Sequence, residues 1–147
     1  MIRVREATIE DLPWMVSEGT KFLNFYFPKQ KVDAGHIYIV MYRIVKGGLL
    51  LVSEEEDGDR TGFIGGLITK NIYYPEENDL YEMFWWVVDG YRRGRSSLML
   101  LKEFVNRGKE MGADKIVMTL LSISPVNKDA LIKRGFELKE SAFVMEV

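Results

Sequence analysis

The sequence predicts an α/β (α+β) fold, a mixed central sheet of six to seven strands flanked by about four helices, with residues 1–147 forming a single domain. Two observations lead there. Strand-like alternation and helix-like apolar stripes follow one another along the chain, and no repeat or low-complexity segment interrupts them. In addition, the stretch from Glu82 to Lys102, EMFWWVVDGYRRGRSSLMLLK, joins a buried strand, a glycine-containing basic loop and a helix start in direct succession.

Taken in order, Ile2, Val4 and Glu6 alternate with Arg3 and Arg5, a short first strand. Thr8 caps a helix, with Asp11 in capping-box position and Pro13 in the opening turn, and this helix runs to near Gly19. An aromatic connector follows from Phe22 to Lys31, closed by Pro28, and most of its rings read as core. A second helix spans about Asp33 to Lys46, carrying Ile37, Val40, Met41, Ile44 and Val45 on one stripe and stopping at Gly47-Gly48. His36 lies near its start and reads as structural or solvated.

Leu49–Ser53 and Thr61 to about Ile72 are hairpin strands around an acidic turn, and Gly62, Gly65 and Gly66 signal a bulge or a close backbone approach. Tyr73 to Asp79 is a linker into the central strand, Met83–Val88. A long helix begins at about Leu98 and ends near Met111-Gly112. Lys115–Leu121 is a further strand, Val126–Arg134 a short helix, and a final strand pair ends at Val147.

A chain of 147 residues can bury about two thirds of its unfolded surface, so an ordinary core suffices. The absence of cysteine removes disulfides and thiolate chemistry, and a single histidine argues against a histidine-rich metal site or a Ser-His-Asp triad. No metal is expected. A net charge of -2 argues against nucleic-acid binding through bulk electrostatics. No apolar run reaches bilayer length and the N-terminus reads as a strand instead of a signal segment, so no membrane association and a cytoplasmic location are expected.

The local charge is therefore the informative one. A strand, a glycine-containing loop and a helix start aim free backbone N–H groups and the positive end of a helix dipole at one point, which makes an anion cradle. Arg92, Arg93 and Arg95 sit at the end of the helix where cations cost some tenths of a kcal/mol each unless an anion joins them. Solvated surface arginines are the competing reading.

The hexad Tyr91-Arg92-Arg93-Gly94-Arg95-Ser96, preceded by a strand and followed by a helix, resembles the Gln/Arg-x-x-Gly-x-Gly/Ala signature of the GNAT superfamily of acyl-CoA-dependent N-acyltransferases. The stretch Ala130–Phe136, a helix ending in Gly135-Phe136, resembles a second landmark of that family, and the order of elements is similar over nearly the whole chain. Tyr91 departs from the usual Gln or Arg, and Ser96 from the usual Gly or Ala, although the Ser96 hydroxyl could itself donate to phosphate.

The resemblance implies acetyl-CoA as co-substrate, a small amine or peptide as acceptor, direct attack of the amine on the thioester, and frequent homodimers. It implies a coenzyme site made of Trp86, Val87, Val88, Tyr91, Arg92, Arg93, Gly94, Arg95, Ser96, Ser97 and Ser124. Trp86 would flank the pantetheine arm, and a strand-end amide of Val87 or Val88 would face the thioester oxygen. Glu82 stands where many members carry a basic carboxylate. An amine acceptor needs such a base, because freeing it from a pKa of about 10.4 at neutral pH costs roughly 4–5 kcal/mol. Strand alternation places Glu82 on the side of Phe84 and Trp86, where partial burial would raise its pKa. Leu131 stands where a tyrosine often protonates the leaving thiolate, and Ser124 where Asn is frequent. These departures support an alternative, a GNAT-fold module that binds coenzyme A or a partner with weak or no catalysis.

Overall fold

The computed structural model describes residues 1–147. Strand β1 (Arg3–Glu6) leads through a 3-10 turn (Ile9–Asp11) into helix α1 (Leu12–Tyr26), and helix α2 (Ala34–Gly47) follows. Strands β2 (Leu49–Glu54), β3 (Arg60–Lys70) and β4 (Asn78–Val87) form a meander. Helix α3 (Ser96–Glu110), strand β5 (Lys115–Val117) and helix α4 (Lys128–Ile132) complete the elements. The sheet order is β1-β2-β3-β4-β5, antiparallel except for the parallel β4–β5 pair.

Local chemistry explains the boundaries. The Asp11 carboxylate accepts the Thr8 N–H at 2.8 Å, the capping box read from the sequence. The Asp33 side chain accepts the His36 N–H at 3.0 Å, which starts α2 within a residue of the expected position and leaves His36 exposed. Helix α1 runs past Gly19 to Tyr26, because the connector's rings continue the helical stripe: Phe22 and Tyr26 stack at 4.8 Å, one turn apart. Strand β4 begins five residues before Met83. Asn78 donates to the Asp114 carboxylate at 2.8 Å and Asp79 Oδ2 accepts from Asn71 at 2.9 Å, while the buried Asp79 Oδ1 has no partner.

Sequence alternation gives the sheet two apolar faces. Leu50, Val52, Phe63 and Trp86 pack under Leu12 and Met15 of α1 and Ile37, Met41 and Ile44 of α2. Leu49, Leu51, Ile64, Leu80 and Val87 pack under Leu100 and Phe104 of α3. Along the β1 edge Asp11 is the electrostatic knot, paired with Arg5 (2.8 and 2.9 Å) and Arg60 (2.8 Å).

The glycines of β3 act as their spacing suggests. Gly65 pairs with Phe84 and Gly66 with Glu82, so Met83 is an extra residue and the ladder bulges there. A Cβ at Gly66 would lie 2.2 Å from the Tyr81 carbonyl, so only glycine fits.

The sheet has five strands, not six to seven. β5 stops at Val117 because the Thr119 N–H turns to the Glu82 carboxylate and the chain then folds into a turn, Ser124 N–H to Leu121 O at 2.9 Å. The expected final strand pair is not formed. Helix α4 ends in a Schellman motif, in which Phe136 N–H donates to Leu131 O and Gly135 N–H to Ile132 O, with Gly135 at φ +93°. This motif accounts physically for the Gly135-Phe136 landmark. Beyond it, residues 137–147 run exposed and without ladder bonds.

Candidate functional site

The site is a consequence of how β4 and β5 part. They pair only across Asp79–Tyr81 and Lys115–Val117, so from Glu82 onward the outer edge of β4 has no strand beside it. A cleft of about 310 Å³ opens there, bounded by the end of β4, the start of α3, the end of α1 and α4. Trp86, Val87, Arg92, Gly94 and Ser97 of the anticipated set line it. Val88, Tyr91, Arg93, Arg95, Ser96, Ser124 and Glu82 do not.

The start of α3 presents open donors. Its cap position, Arg95, is helical in conformation and receives no side-chain cap, and the N–H groups of Arg95, Ser96, Ser97 and Leu98 find no acceptor. Gly94 N–H is spent on Tyr91 O at 3.0 Å and Tyr91 N–H on Val88 O at 3.0 Å, so the open donors begin one residue after the glycine. Gly94 has no positive φ, and a Cβ there would meet only the Tyr91 carbonyl at 3.2 Å. A side chain at this position therefore fits only if the Tyr91 carbonyl shifts by a few tenths of an ångström. Arg93 and Arg95 are exposed and make no salt bridge or side-chain hydrogen bond, an unbalanced positive pair beside four free donors.

Two anticipated donors point elsewhere. The Ser96 hydroxyl faces inward and donates to Thr61 Oγ1 at 2.8 Å, and Thr61 donates in turn to Ser53 Oγ at 2.8 Å, all three fully buried. Only the Ser96 amide faces the cradle. Arg92 is folded back onto the cleft wall. Its Nε donates to Val87 O at 3.0 Å and its guanidinium lies 4.4 Å over the Trp86 ring and 5.9 Å from Phe25.

The same geometry separates Val87 from Val88. Val88 N–H donates to Thr61 O at 2.8 Å and is not available to a ligand. Antiparallel pairing alternates, so the N–H and C=O of Val87 face the open edge, as its bond from Arg92 confirms for the carbonyl. Ser124 Oγ is occupied locally by the Val126 N–H at 3.3 Å.

Glu82 is the first β4 residue past the paired stretch. The extra residue at Met83 breaks the alternation that linked it to Phe84 and Trp86, and its carboxylate reaches toward the segment after β5, accepting the Thr119 N–H at 3.3 Å. It is only 8% exposed and has no other partner. Burial pushes its pKa up from 4.5 to about 7, with the Thr119 bond pulling weakly the other way.

Sequence reading did not find Glu18. It sits buried on α1, accepts the Trp86 indole N–H at 2.9 Å through one oxygen and the Lys21 ammonium at 2.7 Å through the other. A carboxylate on an otherwise apolar helix face was the available signal; its partner lies 68 residues away.

No family model matches the chain, and no curated protein matches its sequence. Solved structures do. A predicted acetyltransferase from Clostridium acetobutylicum, solved with acetyl-CoA, superposes with a TM-score of 0.79 at 14% identity, covering 99% of this chain and 96% of the other. Glucosamine-6-phosphate N-acetyltransferase from Arabidopsis thaliana matches at 0.75 and 16% identity, covering 99% and 98%. An aminoglycoside acetyltransferase from an uncultured soil sample matches at 0.69 and 16%, covering 100% and 99%. The chain has the GNAT fold. Within the GNAT fold of this chain, the end of β4 and the free start of α3 adjoin one cleft, and Leu131 occupies the α4 wall as an apolar, buried side chain. No helix is long and apolar enough to cross a membrane.

Proposed function

We propose that this chain is an acetyl-CoA-dependent N-acyltransferase, in which an acceptor amine attacks the thioester directly. The observation that carries the reading is the set of four unpartnered amides at the start of α3, flanked by unpaired Arg93 and Arg95, at the mouth of an apolar cleft. Those groups suit a pyrophosphate, and the apolar walls from Trp86 and Leu131 suit an extended pantetheine arm.

In the proposed reaction the amine nitrogen forms a bond to the acyl carbon as the carbon–sulfur bond breaks, and the amine proton passes to Glu82, directly or through water. The Val87 amide is the candidate donor to the developing oxyanion. Trp86, with its indole N–H held by Glu18, and Phe25 carry the Arg92 guanidinium on their faces, which fixes this wall beside the cleft. An acceptor of amine or peptide type and a homodimeric state belong to the same proposal.

Calorimetric titration with acetyl-CoA and with coenzyme A tests it first. Micromolar binding is expected, and no binding at millimolar ligand would sink the coenzyme site. Gly94→Leu is expected to stay folded, since its backbone needs no positive φ and its one tight contact is with an exposed loop carbonyl, and to lose at least about tenfold in coenzyme affinity. Ser96→Ala is expected to cost about 1 kcal/mol of stability through the lost buried hydrogen bond and, by loosening the first turn of α3, to weaken coenzyme affinity by less than Gly94→Leu does. A matching loss of affinity in Ser96→Ala would return the hydroxyl to the cradle.

A second reading rests on two observations: Glu82 does not line the cleft, and Leu131 supplies no acid for a leaving thiolate. Both favour a coenzyme-binding or partner-binding module of the GNAT fold. Coenzyme binding without acetyl transfer to any of a panel of amines would select it.

A further inference from the structure

Away from the cleft, one face of the molecule carries charge that the chain leaves uncompensated. Helix α2 contains no acidic residue, and its buried stripe of Ile37, Met41 and Ile44 leaves Tyr38, Ile39, Tyr42, Arg43 and Lys46 on the exposed side. Tyr38 is 38% exposed, Ile39 48% and Tyr42 40%. The segment before α2 adds Lys29 and Lys31, both exposed. Residues 28–48 thus hold four cations against one carboxylate, Asp33, in a chain whose net charge is -2. That carboxylate is spent on the His36 N–H. None of the four cations forms a salt bridge, and only Lys46 has a partner, the Tyr42 ring at 5.7 Å. Arg3, Arg5, Arg60 and Arg107, by contrast, are all paired with carboxylates. At the start of α2 a recess of about 240 Å³ opens, walled by Leu23, Phe27, Val32 and Ile37 and by Lys31.

We propose that this face docks an acidic polypeptide segment, one apolar side chain of which enters the recess while its carboxylates lie along the lysines and Arg43. The charge selects the partner. Neighbouring cations with no counter-charge repel one another, and carboxylates laid between them relieve that repulsion. The recess selects the partner's form. A walled apolar hollow takes one aliphatic or aromatic side chain, which a phosphodiester backbone or a layer of lipid headgroups does not supply. Tyrosine and arginine on the outer face are residue types that carry binding energy once a partner covers them. From His36 beside the recess to Lys46 the helix rises roughly 15 Å, the length of about five extended residues, so a short segment reaches all of it. Not one of these residues lines the cleft, so docking does not depend on the cleft's chemistry.

Fluorescence anisotropy with a labelled nonapeptide, glutamates and aspartates around one central leucine, reads the docking. Saturable binding with a Kd of about 10–100 µM is expected at low ionic strength, weakening with added salt. Serine in place of the peptide's leucine is expected to weaken binding at least about tenfold, the effect of losing one buried aliphatic side chain. The double variant Arg43→Glu, Lys46→Glu alters two exposed side chains that form no salt bridge, so its circular dichroism spectrum should match the parent's while its peptide affinity falls at least about tenfold. Phe27→Ser opens one wall of the recess and should bind the leucine and serine peptides alike. The same titration is run with a single-stranded oligonucleotide and with phosphatidylserine vesicles. No binding of the acidic peptide, equal binding of its leucine and serine forms to the parent, or binding that the double variant retains overturns the proposal. So does tighter binding of the oligonucleotide or the vesicles, or a parent at twice its 17.0 kDa mass that the double variant returns to single mass, which would assign the face to a second copy.

Discussion

Glu82→Gln is expected to lower acetyl transfer by roughly 10²–10⁴-fold, the range for loss of a positioned general base, while coenzyme affinity stays unchanged. In the parent, turnover should rise with pH through about 7 as the buried carboxylate gives up its proton, and the variant should lose that limb. Unchanged turnover removes Glu82 from the mechanism. The same substitution has a stability signature. Burial makes the folded chain hold the Glu82 proton up to about pH 7, whereas the unfolded chain releases it near 4.5. The folded state therefore binds more protons across that window, and stability falls as pH rises through it, by about 3 kcal/mol in all. Glu82→Gln carries no such charge and should be the more stable protein at pH 8 and comparable to the parent at pH 4. Urea midpoints at the two pH values measure this, and a parent whose stability does not fall between them contradicts the buried-carboxylate account.

The second large effect concerns the opposite edge of the sheet. Asp11→Ala is expected to destabilise the chain by about 3 kcal/mol, the low end for breaking a buried ion pair, because Arg5 and Arg60 remain about one-third exposed and recover some hydration. Burial pushes the Asp11 carboxyl up, but the Arg5 bonds, the Thr8 N–H and Arg60 together outweigh it and hold the group well below the usual carboxylate range. The stability contributed by Asp11 is thus fully present above its ordinary value of 3.8 and is lost as pH falls toward the lower folded value. Chemical denaturation at pH 7 should show a lower midpoint with an unchanged slope, and the variant's acid transition should be shallower. A cost below about 1 kcal/mol would mean that Glu54, which also pairs with Arg5 at 3.0 Å, carries the knot alone.

Much of the frame was legible because short-range rules fixed it. Asp33 announces α2 from within its own first turn, and Gly65-Gly66 announce the bulge because a Cβ has no room between the Tyr81 carbonyl and Phe104. The open start of α3 was legible for the same reason: a loop and a helix start are adjacent in sequence. What could not be read depends on distant partners. Glu18 acquires meaning only when Trp86 is brought to it, Arg92 turns inward only because Trp86 and Val87 lie beside it, and Ser96 turns inward only because Thr61 waits below. The final strands were read from composition, and composition states that a segment can pair without stating where an edge awaits it.

The buried run of hydroxyls from Ser96 through Thr61 to Ser53 fastens the first turn of α3 to the two middle strands. Fixing a backbone residue costs about 1–2 kcal/mol of conformational entropy, and in this chain that cost is met during folding, before any anion arrives. Binding at the cradle should then resemble an ion settling on a rigid lattice point. Its strength should weaken steadily with added salt, and the amides of Ser97 and Leu98 should keep the same backbone order with or without the anion.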